Sequence, residues 1–332
     1  VLFCNDEQTG LRAIIAVHNT VLGPSLGGTR MWNYASEQEA LIDVLRLSRG
    51  MTFKASISGL NLGGGKAVII GNSKTDKSEA LFRRFGQFVD SLNGKYITAE
   101  DVGINPQDIN WVAKETNHVS GLLNKGGDPS PVTAYGVYMG MKASAKVQWG
   151  NDSLAGKTIA VQGAGHVGMY LIEYLAKENA KIVVTDIDQE AVAVAVSKHG
   201  ASAVELDDIY DVNMDIYAPC ALGATVNDNT LKRLNCSIIA GAANNQLESE
   251  IHHGREVMEK GIIYAPDFLI NAGGLINCYS ELHGYDKEGA MSQTEKIYQT
   301  TLDIITVSKK EGIPTYMAAN RMAEERIEKN RK

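Results

Sequence analysis

Between residues 157 and 186 the chain carries a pattern that few folds other than a parallel sheet covered by helices accommodate. Lys157-Thr158-Ile159-Ala160-Val161-Gln162 reads as a buried strand, and Gly163-Ala164-Gly165-His166-Val167-Gly168 follows at once. A helical pattern covers 169–178 and a second apolar strand covers 181–185. Asp186 stands at its end, 23 residues after Gly163. A bare G-x-G-x-x-G is weak evidence, but one set between strand and helix with an acid at this distance is specific. The first glycine makes the turn, the second admits a pyrophosphate and the third lets helix pack on strand. The helix N-terminus then meets the phosphate charge. Asp186, with Asp188 close by, suits the hydroxyls of an adenosine ribose and repels a 2′-phosphate, so NAD is expected rather than NADP. The plainer alternative is an acid that only caps a turn.

A chain of 332 residues is long for one core and suggests two domains. The first part has its own alternation of strands and helices. A strand is predicted at 11–18 and an amphipathic helix at 78–92; a short strand covers 96–99. Ser36 and Glu39 form a candidate capping box for a helix that runs out near Gly50. Gly126-Gly127-Asp128-Pro129-Ser130-Pro131 is the clearest breaker cluster and marks a boundary or hinge. Thr133 then opens a long helix to about Trp149. The fold class is α/β, with domains at 1–132 and 133–312. A single long helix is expected at 289–311, and a charged helix after Pro314, at about 313–332, is expected to return to the first domain or meet another subunit.

Formal net charge is −7, from 32 basic and 39 acidic residues, which argues against nucleic-acid or anionic-membrane partners. It leaves room for a local basic pocket holding a small anion. Cys4, Cys220, Cys236 and Cys278 include no CxxC pair, so neither a metal site nor a disulfide framework is indicated. Free thiols fit a reducing cytoplasm. No apolar run approaches the roughly 20 residues that span a bilayer, and no signal peptide is expected. The sequons at Asn151 and Asn235 accordingly read as chance. Because the chain opens on Val1 rather than methionine, part of a natural N-terminus is expected to be missing.

Chemistry in the first part concentrates at Gly63-Gly64-Gly65-Lys66, ahead of the apolar run Ala67-Val68-Ile69-Ile70. Glycine permits positive φ and close approach of another molecule to the backbone. A lysine held in such a dry place loses hydration of its charged form and can titrate at about 7–8, where proton transfer works best. The bland alternative is a glycine loop whose lysine points to solvent. Lys54 lies twelve residues before Lys66, so two ends of one loop can converge on a single pocket. Glu100 and Asp101 follow a short strand, where ligand sites of α/β sheets lie, unless they cap the helix after Pro106. Gly27-Gly28 offers backbone N–H groups to an anion, or is a simple turn. Asn271-Ala272-Gly273-Gly274 interrupts an apolar stretch with small residues that let a ring come close.

These stretches together resemble the amino-acid dehydrogenase family that contains the glutamate, leucine, valine and phenylalanine dehydrogenases. The resemblance spans essentially the whole chain. It is carried by the segments 23–31, 50–54, 63–66, 98–103, 129–136, 241–245 and 270–274, in that order. It implies an N-terminal substrate-binding and oligomerisation domain, separated by a cleft from a C-terminal Rossmann NAD-binding domain, with a hinge at 126–133 that lets the cleft close. The implied reaction is reversible oxidative deamination, in which an L-amino acid, NAD and water give a 2-oxo acid, ammonium and NADH. By position Lys54 would bind the substrate α-carboxylate, with backbone N–H groups near Gly27 and Gly28 and with Asn271. Lys66 would activate water, and Asp101 would carry protons to and from the amino group. Thr133 and Asn244 would hold the nicotinamide side, and Gly163, Ala164, Gly165, His166, Val167 and Gly168 with Asp186 the adenosine diphosphate side. No metal is implied; a homo-oligomer is.

The family's side-chain pocket falls on Leu26, Ala99, Leu275 and Cys278. Relatives acting on glutamate carry a lysine where this chain has Leu26, and without it burying a γ-carboxylate is costly. Ala99 crowds an aromatic ring, since phenylalanine-type relatives tend to have glycine there. The implied substrate is a branched aliphatic amino acid, with an aromatic one as the alternative. Leu275 and Cys278 depart from the valines usual in leucine-acting relatives. They leave the order among leucine, valine and isoleucine open, because one methylene decides only about 1–3 kcal/mol. Two other classes stand beside this one. A hydroxy-acid oxidoreductase sharing only the Rossmann half leaves Lys54, Lys66 and Asp101 unexplained, and a non-catalytic NAD sensor would be expected to have lost Lys66 or Asp101.

Overall fold

The computed structural model describes residues 1–122 and 127–331. Gly126, where the expected hinge begins, lies outside them. The chain forms two compact units: Val1–Gly127 with Cys278–Asp286 and Ala323–Lys332, and Asp128–Asn277 with Lys287–Met322. The first division thus falls at 127/128 instead of 132/133. Cys278–Asp286 groups with the first unit, and the C-terminal helix does so only from Ala323 onward.

The first unit holds one sheet of six strands, β1 (Leu2–Asp6), β2 (Leu11–Asn19), β3 (Ser25–Leu26), β4 (Thr29–Trp32), β5 (Gly63–Ile70) and β6 (Tyr96–Ile97). The order is β1-β2-β5-β3-β6, with β4 also paired to β5. β1 and β2, and β2 and β5, run antiparallel, while β3 and β4 run parallel to β5. Helix α1 (Glu37–Ile57) packs on β2 and β5; α2 (Glu79–Asp90) packs on α3 (Pro106–Val112) and on the strands β1 and β2. Because successive strand residues face opposite ways, β2 sends Ala13 and Ile15 to the core shared with Phe82 and Phe85 of α2. It sends Ile14 and Ala16 to the core shared with Ala40 and Val44 of α1. A sheet buried on both faces needs a continuous apolar run, which is why residues 13–17 do not alternate.

Ser36 caps α1, accepting from the Glu39 N–H at 3.1 Å, and Lys54 in the last turn complements the helix dipole. The helix does not run out at Gly50. It continues to Ile57 because Thr52, Phe53, Ala55, Ser56 and Ile57 are all buried, which outweighs a mid-helix glycine cost of about 1 kcal/mol.

The second unit opens with α4 (Ser130–Trp149), three residues earlier than expected. Then follow β7 (Thr158–Gln162), α5 (His166–Lys177), β8 (Lys181–Thr185), α6 (Gln189–His199), β9 (Ser202–Ala203), β10 (Ile216–Pro219), α7 (Thr230–Arg233), β11 (Ile238–Ile239), α8 (Glu250–Glu259) and β12 (Ile263–Tyr264). Its sheet runs β12-β11-β10-β7-β8-β9, every pair parallel. This is the doubly wound order of dinucleotide-binding folds, and the order reverses between β7 and β10, where such folds place their ligand. The chain closes with α9 (Asp267–Ile270), α10 (Gly273–Glu281), α11 (Lys287–Glu295), α12 (Ile297–Glu311) and α13 (Thr315–Lys329). The single helix expected at 289–311 is therefore two. The Thr294 hydroxyl donates back to the Ala290 carbonyl at 2.8 Å just before the break, a bond that bends helices. No helix among the described residues is long and apolar enough to cross a membrane.

Candidate active site and cofactor cradle

Lys66 lies within β5, and the three glycines before it are strand, not loop: β5 begins at Gly63, and none of the three takes positive φ. Their small size serves packing. A Cβ on Gly64 would stand 2.1 Å from the Thr52 nitrogen, so α1 crosses the strand closer than any side chain permits. Lys66 is 6% exposed, and its Nζ meets Asp101 Oδ2 at 3.0 Å. Asp101 is not spent as a helix cap. Asn105 caps α3 through a reciprocal bond with Asp108, which frees the acid five residues beyond the Tyr96 start of β6. Gly28 lets that segment come close, since a Cβ there would stand 2.2 Å from the Glu100 carbonyl oxygen. The Thr29 N–H donates to the Ala99 carbonyl at 2.8 Å, and the hydroxyls of Thr29 and Thr98 meet at 2.6 Å.

A second cation reaches the same carboxylate oxygen. Arg30 Nε lies 3.2 Å from Asp101 Oδ2, and Arg30 Nη1 lies 2.9 Å from Asp43 Oδ2. Tyr34 donates its hydroxyl to that Asp43 oxygen at 2.7 Å. Burial opposes the charge on Asp101. Lys66 and Arg30, aided by the Val102 N–H, outweigh it and hold the carboxyl below its usual range.

Leu26 and Ala99 are buried in this unit, and Cys278 belongs to it too. Burial, with Glu281 adding to it, pushes the Cys278 thiol up to about 11, so it stays uncharged at neutral pH. Lys54 is half-buried at the end of α1. One expectation is corrected. The Gly27 N–H is already donated to the Ile97 carbonyl at 3.2 Å, because the backbone keeps pairing with β6 past the end of β3. Of the pair, only Gly28 has an N–H with no backbone acceptor among the described residues.

The second unit holds Thr133, Gly163–Gly168, Asp186, Asn244, Asn271 and Leu275. Gly163 takes φ +111° at the end of β7, where only glycine is at ease, and its N–H donates to the Thr185 carbonyl at 2.8 Å. Ala164 N–H donates to Asp186 Oδ2 at 2.6 Å and Asp188 N–H to Oδ1 at 2.9 Å, which ties the acid to the glycine turn. Gly165 is the N-cap of α5 and supplies no capping side chain, so the first-turn N–H groups at His166, Val167 and Gly168 are suited to a phosphate.

Asn271 donates through Nδ2 to the Ala242 carbonyl at 3.1 Å and to Asn244 Oδ1 at 2.8 Å. Both amide hydrogens are then spent. Its Oδ1 is buried with no partner among the described residues, a cost of about 1–3 kcal/mol that a ligand donor would recover. In this arrangement Asn271 offers an acceptor. A carboxylate needs a donor, so the expected help toward the substrate carboxylate gives way to a bond from a hydroxyl or amide hydrogen. Thr133 donates to the Pro129 carbonyl at 3.0 Å, and its Oγ1 lies 3.2 Å from where a Cβ on Gly274 would stand. The uncapped helix, the fixed acid and the unpartnered Asn271 oxygen fit a dinucleotide.

Residues 1–118 match the model of the Glu/Leu/Phe/Val dehydrogenase dimerisation domain, and residues 128–194 and 184–332 match that of Glutamate/Leucine/Phenylalanine/Valine dehydrogenase. The chain belongs to the Glu/Leu/Phe/Val dehydrogenase family. Leucine dehydrogenase of Bacillus subtilis (strain 168) is 56% identical over 335 residues, covering 100% of this chain and 92% of its own. Phenylalanine dehydrogenase of Caldalkalibacillus thermarum (strain TA2.A1) is 48% identical over 337 residues, covering 99% of this chain and 91% of its own. The crystal structure of L-tryptophan dehydrogenase from Nostoc punctiforme matches with a TM-score of 0.91 at 46% identity, over 99% of this chain and 95% of that one. This member of the family is an NAD-dependent amino-acid dehydrogenase.

Sequence reasoning about this dehydrogenase missed Arg30, Asp43 and Tyr34. Arg30 stands inside the quoted segment 23–31, but Asp101 is 71 residues away from it, and nothing local marks the pairing. Asp228, His252 and His253 also bring ligand-type atoms within 4.8 Å of one another. His253 Nδ1 accepts from the Ser249 N–H at 3.0 Å, which puts the proton of a neutral ring on Nε2, the atom 3.1 Å from Asp228. A metal would have to displace that proton and lose the Ser249 bond, so the trio reads as one carboxylate holding two imidazoles.

Proposed function

We propose that the chain catalyses NAD-dependent reversible oxidative deamination of a branched aliphatic L-amino acid, leucine with valine and isoleucine, to the 2-oxo acid and ammonium. The observation that carries the reading is the pairing of buried Lys66 with half-buried Asp101, with one Asp101 oxygen outside its ion pairs. Lys54, with the Gly28 N–H, takes the substrate α-carboxylate. Asp101 takes a proton from the amino group and so frees the nitrogen lone pair for imine formation; NAD, when bound, would supply the hydride acceptor for the α-carbon. Lys66 then orients water and accepts its proton as oxygen bonds to that carbon; Asp101 returns a proton to the nitrogen. As the C–N bond breaks and the carbonyl forms, the departing ammonia takes the hydroxyl proton and leaves as ammonium. Thr133, Asn244 and Asn271 hold the nicotinamide nucleotide, and the glycine turn with Asp186 holds the adenosine half. Leu26, Ala99 and the uncharged Cys278, all of the first unit, serve the substrate side chain. Their apolar character supports an aliphatic substrate, as does 56% identity to a leucine dehydrogenase. Assembly as a homo-oligomer accords with the dimerisation-domain match, and a cytoplasmic location with the free thiols.

The test is NADH oxidation with ammonium and a panel of 2-oxo acids: 4-methyl-2-oxopentanoate, 3-methyl-2-oxobutanoate, phenylpyruvate and 2-oxoglutarate. Branched acids should turn over fastest and only with ammonium. In Lys66→Ala kcat should fall by about 10²–10⁴-fold while NADH still binds. Turnover without ammonium would defeat the reaction, and a preference for phenylpyruvate would defeat the pocket.

A further inference from the structure

The proposed chemistry uses one of the two cations at Asp101 and leaves the other unexplained. Arg30 lies on β4, whose register places it beside Val68 of β5, two residues from Lys66. Its guanidinium joins two carboxylates, with Nε 3.2 Å from Asp101 Oδ2 and Nη1 2.9 Å from Asp43 Oδ2. Asp43, on α1, is itself held by the Tyr34 hydroxyl at 2.7 Å and by Arg46 Nη2 at 3.2 Å. Both Arg30 and Lys66 come to the same oxygen of Asp101, and Oδ1 receives neither. A planar fork can fix a carboxylate in one orientation while anchored at its other arm; an ammonium on a flexible stem cannot.

We propose that Arg30 is a positioning residue for the deamination. Braced by Asp43, it shares Asp101 Oδ2 with Lys66 and so holds Oδ1 for the reacting nitrogen. The inference rests on the reading of Asp101 as the proton carrier. Charge balance points the same way. Lys66 and Arg30 face Asp101 and Asp43, two charges against two. Arg30 gives Asp101 a second cationic partner, independent of Lys66. The other titratable groups around Asp101 and Arg30 are Tyr96 of β6 and Tyr34, and burial, the leading cause for each, raises both phenols, so they stay neutral across the working range. Arg46 is mostly exposed and meets only the far oxygen of Asp43.

The experiment is the pH profile of kcat/KM for amino-acid deamination in the full chain, for the wild type, Arg30→Gln, Arg30→Lys and Asp43→Asn. Loss of the Arg30 charge lets every basic group in the site, Asp101 included, keep its proton to higher pH. Arg30→Gln should therefore lower kcat by about 10–100-fold with little change in KM for NAD, and move the acid limb up by about 0.5–1 pH unit. Arg30→Lys should restore the limb and not the rate, because it returns charge without the fork. Asp43→Asn removes the brace and keeps Arg30, so it should lower kcat with no upward move of the limb. Because the substitutions lie in the first unit, thermal melts show whether each variant is folded, and NADH titration shows that the second unit is intact. An Arg30→Gln that loses rate with its limb unmoved, or keeps the wild-type rate, would overturn the proposal. Asp101→Asn separates the two claims: if it retains the wild-type rate, the proton-carrier reading fails and Arg30 falls with it.

Discussion

Asp101 is poised between burial, which favours its neutral form, and two cations, which favour its charged form. The cations prevail and the carboxyl sits below its usual range. A carboxyl lowered on folding contributes stability that is complete above its unfolded value of about 3.9 and is lost as pH falls through the lower folded value. At pH 7 Asp101→Asn should cost about 1–3 kcal/mol, less than for a fully buried pair because the Asp101 side chain is 22% exposed. Below about pH 4 the gap between wild type and variant should shrink steadily. Urea unfolding at pH 7 and at pH 3 reads both, and a gap that stays constant would mean the pair is not charged in the fold. Lys66 and Asp101 were legible from motif and position. Arg30 was visible only as a letter, since what it does depends on a fork that reaches one acid on α1 and another beyond β6.

The elements around that pair show where local reasoning stops. Glycine signalled loop at 63–65 and a helix end at Gly50, and both readings yielded to packing. Gly64 is small because Thr52 of α1 lies on it, whereas a Cβ on Gly50 would meet nothing within 4 Å. Opposite outcomes follow from one substitution. Gly50→Ala should stabilise by about 0.5–1 kcal/mol, since alanine loses less backbone freedom in a helix. Gly64→Ala must push α1 off β5 and should cost about 1–3 kcal/mol or more, with activity falling because both lysines ride on those two elements. Thermal melts of the two variants decide this, and a stabilising Gly64→Ala would refute the packing argument. The Rossmann unit posed no such difficulty. Its turn, helix and acid lie within thirty residues, so β7 and β8 could be read from local pattern. β3 and β4 are too short to show a period of two, and they were concealed in a turn-rich stretch.

At the scale of the whole molecule, the first unit is completed by chain from its far end. From Ala323 onward α13 belongs to it, and the attachment is specific. Arg326 Nη1 donates to the Ser56 carbonyl at 3.1 Å and to the Leu60 carbonyl at 2.8 Å, and Nη2 donates to Asn61 Oδ1 at 3.1 Å. Ser56 Oγ returns a bond to the Ala323 carbonyl at 2.7 Å. These bonds clasp the connection between α1 and β5, the stretch that separates Lys54 from Lys66. A returning C-terminal helix could be guessed from its charge and from the proline before it, but its target could not, because the partners of Arg326, two backbone carbonyls and the Asn61 side chain, lie 265 to 270 residues away. Three donors from one guanidinium, each worth more than a neutral hydrogen bond yet partly open to water, make Arg326→Ala destabilising by about 1–3 kcal/mol. If the clasp also sets the spacing of the lysines, the variant should lose kcat/KM for the oxo acid while its affinity for NADH, a property of the other unit, holds. Arg326→Lys should recover little of either, since an ammonium cannot span three acceptors in one plane. Equal losses of oxo-acid turnover and NADH affinity would show instead that the helix end supports the fold in general and not the spacing of the two lysines.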